Sequence, residues 1–541
     1  MQLKQTTAYF IMAWSLWVSW TPATKAATDI ELQVGIVQRF GAQPEDKLTI
    51  SSTQGDTLQL TFKGGNMQEQ TLSTDSFDLE ISQAPLEQPV LEERLVLSDH
   101  GTFETAEESA KVWQERGVAV EVSQPGRWQV WAKREVYSTP LLRRLLIESL
   151  QAQGFTTAHL ETQVKQQNRR VSFVVDGYRY NRQELKIKAS KNPIQVSQGE
   201  RRVRRYLYGG TIKVQPNAYG NFTLVNRVKL ETYLRGVVPH EIGAGAPYNA
   251  IEAQAILART YALRNLRRFA ADNYQLCADT HCQVYRGLTG TAANTDRAIR
   301  ATKGQVLTYD SELVDALYSA TTGGVTAFFS DVWDGEERPY LKPVIDAPTP
   351  VWNLLQNSLA DEKSFRNFLT LEDGFNEAQR SLFRWNRSSS LDKLNNDLKG
   401  YLQKTRHPLA NFKTIESMGV TERSPSGRVL TLSVQTDQGV VELEKNEARS
   451  AFGPPLSTLF YVEPVYEALS TSSGTQLTQS DSGAKILKGF AFIGGGFGHG
   501  VGMSQYGSYN LARLGWSTEQ ILQFYYPGTQ IRPLSEDIVF E

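Results

Sequence analysis

The sequence predicts an α+β fold divided among several domains, and three observations carry that prediction. Its 541 residues exceed what a single hydrophobic core usually organises. The N-terminal third alternates apolar and polar residues around Gly and Asp turn signals, the period of short strands. From Arg201 onward, strand-like runs alternate with helical stripes of small residues and lead to a glycine-rich stretch near the C-terminus.

The chain opens with Lys4, an apolar run from Ala8 to Trp20, and small residues at Thr24 and Ala26. That layout predicts a secretory signal over residues 1–26, because the run is shorter than the ~20 residues a spanning helix needs. The mature chain is then exported and carries no transmembrane span. Its 57 basic and 58 acidic residues give a net charge of -1, which excludes a nucleic-acid binder driven by counterion release.

Residues 27–115, with IELQVGIVQRF and KLTISSTQGDTLQLTF, read as a small β module. Residues 116–195 read as a βαβ module: a strand with Trp128, Val130 and Ala132, a helix with Leu141, Leu145, Ile147 and Leu150, then Gly154 and another strand. Residues 196–535 form the third and largest division. Within it, residues 351–405 are charged and helical in period, predicting a helical insertion. Residues 470–483 lack large apolar side chains, predicting a flexible loop.

The two cysteines, Cys277 and Cys282, lie in LCADTHCQVYRG. In an oxidising compartment a small-loop disulfide is the preferred reading. The spacing also suits a structural zinc held by Cys277, His281 and Cys282, with a fourth ligand that the sequence does not identify.

Residues 230–265, LETYLRGVVPHEIGAGAPYNAIEAQAILARTYALRN, place Glu241 on irregular backbone, since Pro239 disfavours helix at Val238 and GAGAP follows as a loop. Pro247 suits the first turn of a second helix, whose Ile251, Ala255, Ala258 and Ala262 form a stripe small enough for close packing. In so alanine-rich a helix, Gln254, Arg259 and Tyr261 have polar ends either satisfied internally or turned to a cleft. On its own residues, Glu241 reads as an ion-pairing or loop-capping carboxylate ahead of a catalytic one.

Gly494 to Gly507, GGGFGHGVGMSQYG, holds seven glycines but lacks the Gly-Lys-Ser/Thr ending of a phosphate loop. From Gly496 to Gly502 they fall on alternate residues, so an extended conformation has one bare face and carries Phe497, His499 and Val501 on the other. The bare face at Gly498 and Gly500 admits either a flat, extended ligand or another part of the protein. His499 is either a polar contact in that groove, with Gln505, or a satisfied core histidine. Ser319 and Thr321, in YSATTGG, either line the opposite wall or make a strand-to-loop turn. Beyond them, SQYGSYNLARLG reads as a helix ending at Gly515, and Ser517 with Gln520 as a capping box.

In this order, LRGVVPHE, CADTHCQVYRG, ALYSATTGGVTAFFSDVW, RPYLKPV, ARSAFG and GGFGHGVGMSQYGSYNLARLG resemble the SpoIID/LytB family of cell-wall proteins, whose sporulation member is a lytic transglycosylase. The resemblance runs over roughly residues 200 to 533, and residues 116–195 resemble the SPOR repeat through strand order and an aromatic strand. The family's catalytic glutamate follows Val-Val-Pro-x and falls on Glu241; where the family more commonly has Met and then Ser/Trp/Pro, this chain has Ile242 and GAGAPY. The resemblance implies an enzyme of the periplasm or cell wall that cuts peptidoglycan glycan strands between MurNAc and GlcNAc. Glu241 is its general acid and base, and cleavage requires no cofactor. The glycan contacts it implies are Gln254, Arg259, Tyr261, Ser319, Thr321, Gly498, His499, Gly500 and Gln505. The LytB-type name of some relatives implies an alternative, a non-catalytic glycan-binding protein that modifies a cell-wall amidase.

Overall fold

A computed structural model describes residues 30–43, 45–191, 193–199, 204–468, 485–535 and 538. The signal segment 1–26 and the loop expected at 470–483 lie outside the described residues. The architecture is mixed α and β with several sheets, as the periodicity predicts.

The described residues begin with β1 (Glu31–Phe40), β2 (Leu48–Ser51), β3 (Leu58–Lys63), β4 (Glu69–Thr74) and the 25-residue β5 (Ser76–His100). Helix α1 (Phe103–Glu115), β6 (Val120–Ser123), β7 (Trp128–Ala132), helix α2 (Pro140–Ala152) and β8 (His159–Val175) follow. Then come β9 (Tyr178–Arg182), β10 (Leu185–Ala189), β11 (Ile194–Gln198), β12 (Arg204–Tyr208), β13 (Thr211–Pro216) and β14 (Phe222–Lys229), with the short β15 (Leu276–Cys277) farther on. One sheet has the order β15-β1-β14-β13-β10-β3-β4, and another runs β12-β11-β2-β5-β7-β6 with β8 paired to β5. Inward side chains alternate with exposed ones, as at Leu58, Leu60 and Phe62 in β3.

These sheets cross the divisions expected at residues 115 and 195. Glu31 pairs with Lys229 and Phe40 with Phe222, so the first strand lies against a strand of the third division. Short strands gain stability by joining a larger sheet with a packed face, wherever in the sequence its other strands come from.

Residues 103–115 form a helix where the alternating pattern predicts strands. Thr102 caps it by accepting from the Thr105 amide, and Phe103, Ala106, Ala110 and Trp113 bury one face at helical spacing. The next helix also starts as its sequence dictates, with Thr139 as cap and Pro140 in the first turn. Its apolar stripe is not packed away: Leu150 is buried, but Leu141, Leu142 and Leu145 are exposed. The expected insertion at 351–405 is only partly helical, with helices at Glu362–Leu369 and Leu391–Lys404 separated by the strand Arg384–Ser390. Among the described residues no helix is long and apolar enough to cross a membrane.

Helix α3 (Leu230–Val238) leaves β14 directly and runs into one π-helical turn, Pro239–Gly243. Helix α4 (Tyr248–Arg264) follows, buried on every face from Ala253 to Leu263. Its alanines let α3 and the helices Gln505–Arg513 and Thr518–Tyr525 pack closely against it. The last helix starts with the capping box expected at Ser517 and Gln520.

Behind the segment 318–324 lie two fully buried carboxyl groups, Asp346 and Glu377. Glu377 accepts from the Thr322 amide at 2.6 Å, the Thr322 hydroxyl at 3.0 Å and the Gly323 amide at 2.9 Å, and also from the Ser504 hydroxyl. Asp346 accepts from Asn376 Nδ2 and the Tyr525 hydroxyl, each at 2.8 Å. Burial, reinforced by the neighbouring Glu377, pushes the Asp346 pKa well above the carboxylate range, so Asp346 is held protonated. A carboxyl with a raised folded-state pKa stabilises fully below its unfolded value of 3.8, and that contribution is lost progressively as pH rises toward the folded value. Asp346→Asn should therefore flatten the decline of stability between about pH 5 and 8, measured as urea midpoints across a pH series.

Candidate active site

Glu241 sits in the π turn, and the turn has a local cause. Pro239 has no N–H to continue the helical ladder, so the backbone widens there instead of stopping. Neighbouring side chains pin the turn: a His240 ring nitrogen meets the Thr289 carbonyl at 2.8 Å, and the Tyr509 hydroxyl donates to the Ile242 carbonyl. The carboxyl is thus presented by a regular, anchored turn rather than by a loose loop.

Oε1 of Glu241 accepts from the Val284 amide at 2.6 Å. Gln505 bonds the same carboxyl and donates from Nε2 to Oε1 of Gln254 at 3.2 Å. Around them stand the phenols of Tyr233, Tyr261 and Tyr318, each of which feels the Glu241 charge. Gln283, fully buried, accepts from Tyr233 at 3.2 Å and donates to Tyr318 at 3.0 Å. Burial raises the Glu241 pKa from 4.5 to about 7, against the opposing pull of Val284 and Gln505. A carboxyl poised there can both give and take a proton near neutrality.

The predicted contacts divide into two groups. Gln254 and Gln505 meet at Glu241, and Tyr261 stands beside them. The Gln254 Nε2, the Ser319 hydroxyl and the Thr321 hydroxyl are buried with no partner within the described protein. Three such orphaned groups are what a site leaves for a ligand to satisfy.

Arg259 is not available to substrate. It is fully buried, grips Glu231 through two bonds of 2.8 and 2.9 Å, and donates to the Gln305 carbonyl at 2.9 Å. His499 is also fully employed, with Nδ1 accepting from the Val501 amide at 3.1 Å and the ring bonded to the Tyr318 backbone. Burial lowers its pKa to about 3, so it is neutral and serves as a core histidine packed against Trp333.

The extended glycine face does not form. Gly496, Gly498, Gly500 and Gly502 all have positive φ, from 72° to 110°, so the stretch is a chain of tight turns. A Cβ on Gly500 would collide with the buried Arg428 guanidinium, and one on Gly498 would meet the Ser319 Cβ at 2.9 Å. The bare positions therefore admit other parts of the protein, and Gly498 and Gly500 are packing positions rather than a glycan platform.

Cys277 and Cys282 are joined in a disulfide. Both sulfurs are committed to that bond and His281 is exposed beside it, so these residues do not fit a zinc site. The loop that they close leads to Gln283 and Val284, both at the Glu241 carboxyl or its phenol shell. The spacing in CADTHCQVYRG points to the cysteines and gives Gln283 and Val284 no role. Val284 acts through its main chain, which leaves no side-chain signal.

Residues 218–309, which include Glu241 and the disulfide, match the family model described as stage II sporulation protein, SpoIID. Over that segment the chain is similar to the SpoIID family. Residues 327–502 match a domain of unknown function, DUF8618. The chain is 27% identical over 393 residues to the amidase enhancer of Bacillus subtilis (strain 168), covering 66% of this chain and 50% of that protein. It therefore spans only half the length of that relative. It is 26% identical over 341 residues to stage II sporulation protein D of the same organism, covering 59% of this chain and 80% of the relative. The corresponding protein of Bacillus amyloliquefaciens is also 26% identical over 322 residues, covering 57% of this chain and 75% of that protein.

Two outcomes follow from this geometry. Gly500→Val should lower stability by about 2–4 kcal/mol, because a β-branched residue must adopt positive φ and displace a buried guanidinium; thermal melting checks this. Glu241 contributes stability fully below pH 4.5, and that contribution fades as pH rises through about 7. Glu241→Gln should accordingly melt higher relative to wild type at about pH 8 than at about pH 5.

Proposed function

We propose that the protein is an exported, wall-associated lytic transglycosylase that cuts peptidoglycan glycan strands between MurNAc and GlcNAc. The observation that carries this is a half-buried glutamate with a pKa of about 7, set beside orphaned polar groups. Protonated Glu241 donates to the glycosidic oxygen as the C1–O bond breaks. The 6-hydroxyl of the same MurNAc attacks C1, and its proton passes to the Glu241 carboxylate. The products are a 1,6-anhydro-muramyl end and a free GlcNAc hydroxyl, with Glu241 protonated again. One carboxyl suffices because the attacking group belongs to the substrate, unlike the two-carboxylate scheme of most glycosidases.

The Val284 amide keeps the carboxyl oriented and stabilises its charged form, while burial maintains enough acid for protonation. Gln254, Gln505, Tyr261, Ser319 and Thr321 are the residues of the site proposed to hold hydroxyl and N-acetyl groups of the strand.

Mass spectrometry of glycan fragments should reveal anhydro ends with wild type, and Glu241→Gln should reduce their release by about 10²–10⁴-fold. Undiminished release by that variant would refute the assignment. The rate should fall as pH rises above about 7, because the acid must start protonated. The similarity to an amidase enhancer supports a second reading, in which the chain modifies an amidase without cutting glycan. Amidase stimulation that survives Glu241→Gln, with no anhydro ends from wild type, would favour it.

A further inference from the structure

Strand β5 is exceptional in how little of it lies inside a sheet. It pairs with β2 up to Leu79 and with β7 from Val96 onward, both on the edge opposite β8. Between those points, among the described strands, it pairs with β8 alone. One face of this ribbon and the turn between β13 and β14 enclose a cavity of about 390 Å³. Arg94, Arg143, Lys165, Arg169, Asn168 and Asn221 are among its lining residues.

The charges there do not balance. Arg143 pairs with Glu93 and Lys165 with Glu92. Arg94 and Arg169 bond neutral oxygens instead: Arg94 donates to the Ala218 carbonyl, and Arg169 to the Gly41 carbonyl at 2.9 Å and to the Asn221 side chain. Among the described residues, Nε of Arg143 is buried with no acceptor. Burial lowers the pKa of Arg94, opposed by Glu92 and, more weakly, by Tyr219 and Glu161, with Arg134 acting in the same direction as burial. A guanidinium keeps its proton at any physiological pH, so this charge is relieved by an anion rather than by deprotonation.

A bare ion would leave the rest of the cavity unused. The Nδ2 groups of Asn168 and Asn221, whose oxygens already accept from Gln183 and Arg169, can donate to peptide carbonyls, and a strand edge without a neighbouring strand offers main-chain donors and acceptors to an extended chain. We infer that the cavity between the β5–β8 ribbon and the β13–β14 turn binds an extended peptide through its carboxylates, with Arg94 and Arg169 as the anion contacts. The source of that peptide, a peptidoglycan stem, rests on the wall-directed reading above. The ribbon would then hold peptide-bearing wall while Glu241 acts on glycan elsewhere.

Calorimetric titration of the full chain with synthetic L-alanyl-D-glutamyl-L-lysyl-D-alanine tests this, alongside the same peptide with its carboxylates amidated. Wild type should bind the acidic peptide at least about tenfold more tightly than the amidated one. Arg94→Met, which keeps an apolar stem over Trp131, should lose binding by about the same factor, and Arg94→Lys should retain most of it. Equal binding of the two peptides, no binding of the acidic one, or full binding by folded Arg94→Met would each overturn the inference. So would displacement by inorganic phosphate at concentrations equal to the peptide, which would mark a general oxyanion site. The two-peptide comparison needs no variant and stands even if Arg94→Met does not fold. Because binding is read without turnover, a chain that binds peptide but cuts no glycan would count against the enzymatic reading alone. One that cuts glycan but binds no peptide would count against this inference alone.

Discussion

The buried pair of protonated Asp346 and Glu377 is the constraint on which the site's walls depend. Burial beside Glu377 keeps Asp346 neutral, and hydrogen bonds meet the lone pairs of both carboxyl groups. Those bonds reach the Thr322–Gly323 backbone, Ser504 and Tyr525, which belong to separate parts of the sequence. The pair therefore fixes the start of the helix carrying Gln505 relative to the segment carrying Ser319 and Thr321. Tyr318 and Ser319 pair with Met503 and Ser504 in the same arrangement. Glu241 comes from elsewhere, and reaches this frame through Gln505.

Glutamate acidity and backbone shape are linked at Glu241. Pro239 opens the helical ladder by one residue and places the carboxyl where water is largely excluded, and Val284 supplies one strong amide donor. Burial pushes the pKa up and the donors pull it down, and the balance settles near neutrality. Loss of either influence would leave a group that is permanently charged or permanently protonated. The glycine turns serve the same frame from behind, since their backbone conformation allows Arg428 to reach the Thr322 and Val325 carbonyls at 2.7 Å each.

Local rules were legible in the sequence wherever local physics decides. The Ser517–Gln520 capping box, the small-residue packing of α4 and the helix beginning at Gln505 all follow from spacing and side-chain type. The Thr102 cap and the Phe103–Trp113 periodicity were equally present, but the surrounding strand pattern concealed them. Alternating glycines suggested an extended face because period two is a strand signature, whereas glycine's access to positive φ is what this segment uses. Arg259 and His499 looked functional by residue type, and only their distant partners, Glu231 and the Tyr318 backbone, reveal structural work. The Asp346–Glu377 pair joins carboxylates with no periodic relation, so nothing in the linear sequence marks it.

The pairing of β1 with β14 also governs when the molecule can become itself. Glu31 must wait for Lys229, and Gly35 must wait for Cys277, before the sheet that begins with the first described strand can close. Contacts so far apart along the chain carry a loop-closure cost and form slowly. During synthesis, the first described strand has no antiparallel neighbour until β14 has emerged, just ahead of the segment bearing Glu241. A fragment limited to the SpoIID match at 218–309 would inherit the mirror-image difficulty, with β14 stripped of the strand that completes its edge. Placement of the first described strand thus depends on segments on both sides of the acid site, and proteolytic loss of that strand would be felt far from where the cut was made.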